Sequence, residues 1–400
     1  MLKGKHILLG ISGGIAAYKI PELIRSLTKA GAEVRVTTTR HALEFVTELT
    51  LQTLSGHPVY SDVFAAINEH ATEHISLPDW CDAMMVAPAT ANVLAKMANG
   101  IADDALTTTI ASCVARKPMV IVPAMNDKMW ENPATQHAVQ TIKAWENVSV
   151  LEPDEGPLAC GVCGKGRMPE IEELQEALEY ALTPKTLSGK HILITAGGTQ
   201  EQIDPVRFIS NYSTGKMGFA LAHACARRGA EVTLVCGAVT ASLRNPYGTI
   251  RRIDALSAQT MYEACTAAWP KMDCAILCAA VADFTPAQTA DQKIKKQPGQ
   301  TNLTIQLSVT PDIAQTLGQT KRHDQKLIGF ALETEHEKEN ALRKLERKNM
   351  DLIVLNSLRE EGAGFGVDTN RVTLLTASGN SEEMPLQSKA DVAGKIVETI

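Results

Sequence analysis

Short apolar runs recur along the 400-residue chain, and most are followed by a turn of small residues and then a stretch with helical periodicity. The first run is His6–Ile11, leading into Ser12-Gly13-Gly14 and a helical pattern over about 15–30. The second, 32–39, ends in Thr37-Thr38-Thr39. Uninterrupted apolar runs at Ala83–Ala89 and 119–124, and a shorter one at 149–151, have the character of strands covered on both faces. Helical patterns at Ala91–Ala98, 104–115 and 133–145 fill the gaps, and another at Ile171–Leu182 follows. Beyond a Pro-, Ser- and Gly-bearing connector the opening repeats: Gly4-Lys5-His6-Ile7-Leu8-Leu9 is answered by Gly189-Lys190-His191-Ile192-Leu193-Ile194. Ala30-Gly31-Ala32-Glu33-Val34 is likewise echoed by Arg228-Gly229-Ala230-Glu231-Val232. The second half predicts strands at His191–Ala196, 275–280, 327–332, 351–355 and 371–375, with helices at 215–228, from 310 onward, around Lys344 and Lys348, and over 390–400. Strands alternating with helices mean two tandem α/β domains, each a mostly parallel sheet wound on both faces. The expected division is 1–188 and 189–400.

Composition narrows the class. A hydrophobic content of 44% is ample for large cores, and a net charge of −6 gives no support for a nucleic-acid surface. Every apolar run falls far short of the ~18 residues that a membrane span requires. Nine cysteines, mostly inside apolar runs, read as reduced core residues of a cytoplasmic enzyme.

Ligands of such sheets sit beyond the C-terminal strand ends. Three turns there offer small residues, hydroxyls and backbone N–H groups of the kind a phosphate requires: Ser12-Gly13-Gly14-Ile15, Thr37-Thr38-Thr39, and Pro88-Ala89-Thr90-Ala91-Asn92. Each alone is equally well ordinary turn and N-cap chemistry. No G-x-G-x-x-G is present, which favours a mononucleotide over a dinucleotide. A fourth turn is Pro123-Ala124-Met125-Asn126-Asp127-Lys128-Met129-Trp130. Together with His74 these motifs resemble the flavin-dependent cysteine decarboxylases, whose usual forms are P-A-S-A-N-T and P-x-M-N-x-x-M-W. Thr90 and Val93 depart from the first form, and Thr90 keeps the hydroxyl. The resemblance implies a flavodoxin-like or Rossmann-like FMN domain in which His74 assists catalysis and Asn126 holds the substrate carboxylate. Taken alone, His74 would read as a surface or core histidine and Asn126 as a turn residue. Cys160-Gly161-Val162-Cys163 invites a zinc reading, but no second pair lies at finger spacing. The stretch resembles the family's substrate-recognition flap, which makes Cys160 the late proton donor and leaves the role of Cys163 open.

The second half carries Ser213-Thr214-Gly215-Lys216, which is not a P-loop because Ser210 and Met217 stand where glycine and Ser/Thr belong. Asp283 closes an apolar run, a position suited to a ribose hydroxyl or a magnesium ion. Lys293-Ile294-Lys295-Lys296 lies on a polar loop and by itself reads as solvated surface. With the 204–218 stretch, 279–283, Thr310-Pro311-Asp312-Ile313 and Gly329-Phe330-Ala331, it resembles the phosphopantothenate–cysteine ligases over nearly the whole half. This chain departs from them at Gly198, Gln200 and Gln202.

The resemblance implies a Rossmann-like domain that activates a carboxylate with CTP and Mg2+. Arg207, Lys216, Leu277, Cys278, Ala279, Asp283, Thr310–Ile313, Phe330, Lys344 and Lys348 would bind substrates, with Lys293, Lys295 and Lys296 at the phosphates. Asn211 would act on the acyl-cytidylate, and Asp283 would also take the metal. The whole chain thus resembles the bifunctional bacterial decarboxylase–ligases of coenzyme A synthesis. Its expected partners are 4'-phosphopantothenate, L-cysteine and CTP, with no nucleic acid and no membrane. The family assembly implied is a homo-oligomer, a dodecamer of trimeric flavin halves and dimeric ligase halves. Two rivals are a flavin-binding regulatory subunit and an enzyme that decarboxylates a peptide's C-terminal cysteine. The ligase half and the cysteine flap argue against the first, and the K-x-K-K half against the second.

Overall fold

The computed structural model describes residues 2–64, 72–157, 163–240, 249–333, 335–356, 362, 364 and 366–400. Two compact units divide it, Met1–Thr183 and Pro184–Ile400. Residues 184–188, expected to close the first domain, belong to the second. Leu187 is buried in the second unit's core, its N–H reaching Arg228 O at 2.9 Å, while Lys185 Nζ reaches Arg227 O at 2.8 Å.

The strands of the first unit are β1 His6–Ile11, β2 Glu33–Thr38, β3 Val59–Tyr60, β4 Ala83–Ala89, β5 Met119–Pro123 and β6 Val148–Val150, followed by β7 Asp154–Pro157 and β8 Cys163–Arg167. The first six form one parallel sheet in the order β3-β2-β1-β4-β5-β6, with Ile7 beside both Val34 and Ala83. This is the Rossmann order rather than the flavodoxin one. The apolar runs are explained by burial on both faces. Ile7, Leu9 and Ile11 enter one core with Leu23, Ile24 and Leu27 of the helix Ile20–Lys29 and with Leu174 and Leu178 of Ile171–Leu182. Leu8, Met84 and Val86 enter the opposite core with Leu94 of Ala91–Ala98 and Ile142 of Pro133–Lys143. Each such fully buried side chain contributes ~1.5–3 kcal/mol of transfer free energy. The helix expected over 15–30 begins as a 3-10 turn, Ile15–Lys19, before the α-helix Ile20–Lys29.

The second unit contains β9 His191–Ala196, β10 Gln200–Gln202, β11 Phe208–Ser210, β12 Glu231–Cys236, β13 Ile250–Asp254, β14 Cys274–Leu277, β15 Phe284–Pro286, β16 Leu307–Val309, β17 Lys326–Leu332, β18 Leu352–Asn356, β19 Thr369–Asn370, β20 Val372–Thr376, β21 Ser381–Glu383 and β22 Gln387–Ser388. The main sheet runs β13-β12-β9-β14-β17-β18-β20-β21, parallel as far as β18 and antiparallel for the last two strands. The strand expected over 275–280 stops at Leu277. Thr195 Oγ1 there accepts the N–H groups of Cys278 at 3.1 Å and Ala279 at 3.0 Å, which turns the chain out of the ladder.

The helix Lys216–Arg227 lies on β9 so closely that a Cβ on Gly218 would stand 2.5 Å from Ala196 Cβ. Gly218→Val is therefore expected to cost the second unit about 1–3 kcal/mol through overpacking. Thermal unfolding of that unit would fall by several degrees, at about 2–4 °C per kcal/mol for a domain of this size, and an unchanged midpoint would contradict the packing.

Candidate active sites in the two units

In the first unit the strand order reverses between β1 and β4, which opens a crevice at their C-terminal ends. Ser12, the first residue beyond β1, is buried. Its hydroxyl donates to Pro88 O at 2.7 Å and accepts the Thr90 N–H at 3.0 Å, so the turn after β1 carries the turn after β4. A Cβ on Gly13 would stand 2.6 Å from His41 Cβ, and the Thr39 N–H reaches Ile11 O at 3.0 Å. Ser12–Gly14, Thr37–Thr39 and Pro88–Asn92 thus share one edge of the sheet. Thr39 and Thr90 occupy N-cap positions, yet neither side chain bonds the first turn that follows, and Gly14 supplies no cap at all. By contrast, Asp104 caps Ala105–Cys113 with a full capping box. Uncapped first turns leave N–H groups for an anion.

The same edge holds buried polar atoms without a partner among the described residues, the hydroxyls of Thr37, Thr38, Thr39 and Tyr60, and Nδ1 of His74 in the helix Glu73–Trp80 is likewise buried without one. Such atoms are rare in native interiors, and each costs about 1–3 kcal/mol. A phosphate-bearing ligand with its own donors and acceptors would satisfy them, so the residues present fit FMN. Tyr60 was not anticipated. Tyr60 ends a two-residue strand that pairs with Thr37, too short for a periodic signal. His74 is the second residue of the helix Glu73–Trp80, and no described hydrogen bond ties it to the turns.

Asn126 caps the short helix Asp127–Trp130, its Oδ1 accepting the Lys128 N–H at 3.0 Å. The unpredicted β7–β8 hairpin presses on this turn. The Met125 N–H reaches Gly166 O at 2.9 Å, a Cβ on Gly166 would fall on Met125 O, and one on Gly164 would stand 2.8 Å from Asp127 Cβ. Glu152 braces the hairpin by pairing with Lys143 at 2.8 Å and with Lys165, and these ammonium groups push its carboxyl down to about 2. Cys160 lies outside the described residues. Cys163 is exposed at the start of β8, and among the described residues no cluster of three His, Cys, Asp or Glu could hold a metal ion.

The second unit encloses a cavity of about 580 Å³ beyond the ends of β9, β14 and β17. Leu277, Cys278, Ala279 and Asp283 form one wall, Thr310–Ile313 and Phe330 another, and Asn211, Lys216, Lys344 and Lys348 also face it. Arg207, Lys293, Lys295 and Lys296 do not line it.

Asn211 is held by a bond from Nδ2 to Ala280 O at 3.1 Å. The cations are matched to carboxylates: Lys344 to Glu333 at 2.5 Å, Lys348 to Asp312 at 3.0 Å and Lys216 to Asp368 at 2.7 Å. Burial by itself would raise Asp312, but the Gln315 N–H and the Lys348 ammonium outweigh it and lower its pKa. Burial pushes the Cys278 thiol up to about 12, so it is no nucleophile here. Asp283 lines the cavity as a carboxylate that could join a Mg2+ held chiefly by substrate phosphates and water. Sequence reasoning missed Gly364, Gly366, Asn370 and Lys389, which also line the cavity. Nothing in their local pattern distinguishes them.

Fold and sites together define a flavoprotein-type domain joined to a second domain built to handle phosphorylated, anionic substrates. The comparisons agree. A Flavoprotein family model matches residues 1–183, and the model of the DNA/pantothenate metabolism flavoprotein C-terminal domain matches residues 187–400. The Coenzyme A biosynthesis bifunctional protein CoaBC of Bacillus subtilis (strain 168) is 46% identical over 403 residues, covering 100% of this chain and 97% of its own. A Cysteine/Cysteine sulfinic acid decarboxylase from an unknown prokaryotic organism is 49% identical over 360 residues, covering 89% of this chain and 98% of its own. A crystal structure of the C-terminal domain of a CoaBC protein is 41% identical, with a TM-score of 0.44, covering 53% of this chain and 94% of that one. The chain belongs to the family of bifunctional coenzyme A biosynthesis (CoaBC) proteins.

Gly166→Ala is expected to lift the hairpin off the Met125–Asn126 turn. Decarboxylation should fall at least about tenfold, the order of effect of a small misplacement in a positioned site, while ligation by the second unit is unchanged. Full decarboxylation in this variant would show that the hairpin's seat on the turn is dispensable.

Proposed function

We propose that the chain performs two consecutive steps of coenzyme A synthesis. Residues 184–400 join 4'-phosphopantothenate to L-cysteine at the expense of CTP, releasing pyrophosphate and then CMP. Residues 1–183 decarboxylate the product to 4'-phosphopantetheine. The observation that carries this reading is the cavity of the second unit, where Lys216, Lys344 and Lys348 converge with Asn211 and Asp283.

In the ligation, a carboxylate must attack the α-phosphate of an already anionic triphosphate. Lys344 and Lys348 stabilise the developing charge, an electrostatic role set up before the substrates arrive. Asp283 is the carboxylate available to a Mg2+ carried in on the phosphates. Asn211 steadies the acyl-cytidylate while the cysteine amine displaces CMP, and Lys293, Lys295 and Lys296 neutralise phosphates from the adjoining strap.

In the decarboxylation, bound FMN supplies a reversible two-electron sink, which allows CO2 to leave with no net redox change. Ser12–Ile15, Thr37, Thr39 and Pro88–Asn92 with Met125 would hold it. Asn126 donates to the substrate carboxylate, His74 moves a proton beside the reacting carbon and sulfur, and Cys160 returns one at the end.

We infer a homo-oligomer for each half. Ile15 and Tyr18 expose 56% and 60% of their surface beside the flavin turn, and Tyr212, Phe284 and Val309 expose 88%, 51% and 77% beside the cavity. Among the described residues no helix is long and apolar enough to cross a membrane, and the buried free cysteines fit a reducing, cytoplasmic setting.

Supplying CTP, 4'-phosphopantothenate, cysteine and Mg2+ to the yellow protein should yield CMP and then CO2. CO2 from free cysteine or cysteine sulfinate without CTP, and no CMP under any condition, would favour a simple decarboxylase instead. Asn211→Ala is expected to release pyrophosphate but to slow CMP release by about 10²-fold, as for loss of a polar group that stabilises developing charge. Equal loss of both half-reactions would remove Asn211 from the second step.

A further inference from the structure

Asp204 is a buried carboxylate that accepts five hydrogen bonds, and none of the roles above uses it. Its side chain is 0% exposed. Oδ1 accepts the N–H groups of Val206 and Arg207, both at 2.9 Å. Oδ2 accepts Arg207 Nε at 3.0 Å, Arg207 Nη2 at 2.5 Å and the Ile294 N–H at 3.1 Å. Arg207 completes the ring, since Nη2 also donates to Ile294 O at 2.9 Å. Both backbone groups of Ile294 are therefore held by one ion pair, and Ile294 is the residue between Lys293 and Lys295.

The strap bearing these lysines leaves β15 and returns to β16, a connection far longer than an antiparallel pair requires. Its first part lies along residues 202–207. Thr289 Oγ1 donates to Gln202 O at 3.1 Å and the Ala290 N–H to Ile203 O at 3.0 Å. The clasp at Ile294 is the last bond of that series, and past it the loop turns back through Gln297 and Gln300.

We infer that Asp204 and Arg207 form a clasp that sets where the basic strap leaves the body of the unit, making Asp204 a positioning residue for Lys293, Lys295 and Lys296. The inference rests on the reading that those lysines meet the substrate phosphates. It gives Arg207 a structural task, because its guanidinium is spent on a carboxylate and a carbonyl and does not face the cavity. Lysine in its place could not serve both acceptors with one planar fork. A flexible strap of three like charges loses ordering entropy on meeting its ligand, and a pinned root reduces that cost.

The test uses the full-length chain with two variants. Asp204→Asn removes the charge and turns donors toward donors, whereas Ile294→Pro deletes only the strap's N–H and leaves the Asp204–Arg207 pair intact. Trypsin cleavage at Lys295 and Lys296, without substrates, is expected to accelerate about tenfold or more in both, the scale of losing a charge-assisted hydrogen bond; Lys293 is not read, because trypsin does not cut the Lys–Pro bond that Ile294→Pro creates. KM for CTP should rise by a similar factor with kcat less affected, and decarboxylation of phosphopantothenoylcysteine by the first unit should be unchanged. Should Asp204→Asn fail to fold, Ile294→Pro decides alone. Unaltered cleavage at the strap, or a loss of kcat with KM for CTP unmoved, overturns the inference. A separate variant, K293A/K295A/K296A, judges the phosphate role. Normal ligation there would discard that role, while the cleavage result would still report on the clasp.

Discussion

At the end of the first strand of each unit, one hydroxyl captures backbone N–H groups of the neighbouring strand's exit. In the first unit Ser12 Oγ takes the N–H of Thr90, and in the second Thr195 Oγ1 takes those of Cys278 and Ala279. The consequence is the same in both. The adjacent parallel strand cannot continue its ladder, the sheet opens at its topological switch point, and the turns of two strands are fixed relative to each other. Thr199 repeats the device four residues later by accepting the Ala282 N–H at 2.9 Å. A side chain that supplies an acceptor at that point satisfies backbone groups that would otherwise be buried and unpaired. The crevice is thereby built into the fold before any ligand arrives.

What lies in the two crevices differs in its electrostatic state. The first presents hydroxyls without partners, together with uncapped helix starts. Such a site stores an unfavourable desolvation that a well-matched ligand relieves, which suits a group held through every turnover. In the second, three lysines already have carboxylate partners. An incoming polyanion must displace Glu333, Asp312 or Asp368 or share their cations, so part of the attraction is offset. That arrangement suits anionic substrates and products that must leave, because the lysines regain a partner when an anion departs.

The sheets were legible in the sequence because both faces of nearly every central strand are buried, which writes uninterrupted apolar runs such as Ala83–Ala89 and His191–Ala196. The turns were legible because close approach demands small residues, as at Gly13 and Gly218. The hairpins were not. β10, β15 and β16 are three residues each, and β8 is Cys-Gly-Lys-Gly-Arg, with no alternation to read. Partnerships between distant charges were equally invisible. Nothing in the pattern around Glu333 marks it as the counter-ion of Lys344, and nothing around Lys389 marks it as a wall residue. In the fold Lys389 is 8% exposed and donates to the carbonyls of Gly364, Val367 and Thr369, which places it on the cavity wall.

Overall identity does not decide between the activities carried by relatives of this chain. The decarboxylase named for cysteine and cysteine sulfinic acid matches 89% of this chain at 49% identity, against 46% for the bifunctional protein of Bacillus subtilis. A fold hosts many chemistries, so identity of that order does not by itself assign one. Discrimination must therefore come from groups with no structural reason to exist. Asp204 and Arg207 have such a reason, since their bonds are satisfied within the unit. Lys293, Lys295 and Lys296 do not: like charges crowded on a polar strap repel one another and contribute nothing to a core. On the proposed reading an anionic ligand offsets that repulsion. A decarboxylase acting on a free amino acid has no triphosphate to neutralise, so on that reading the strap and the clasp that roots it serve the ligation.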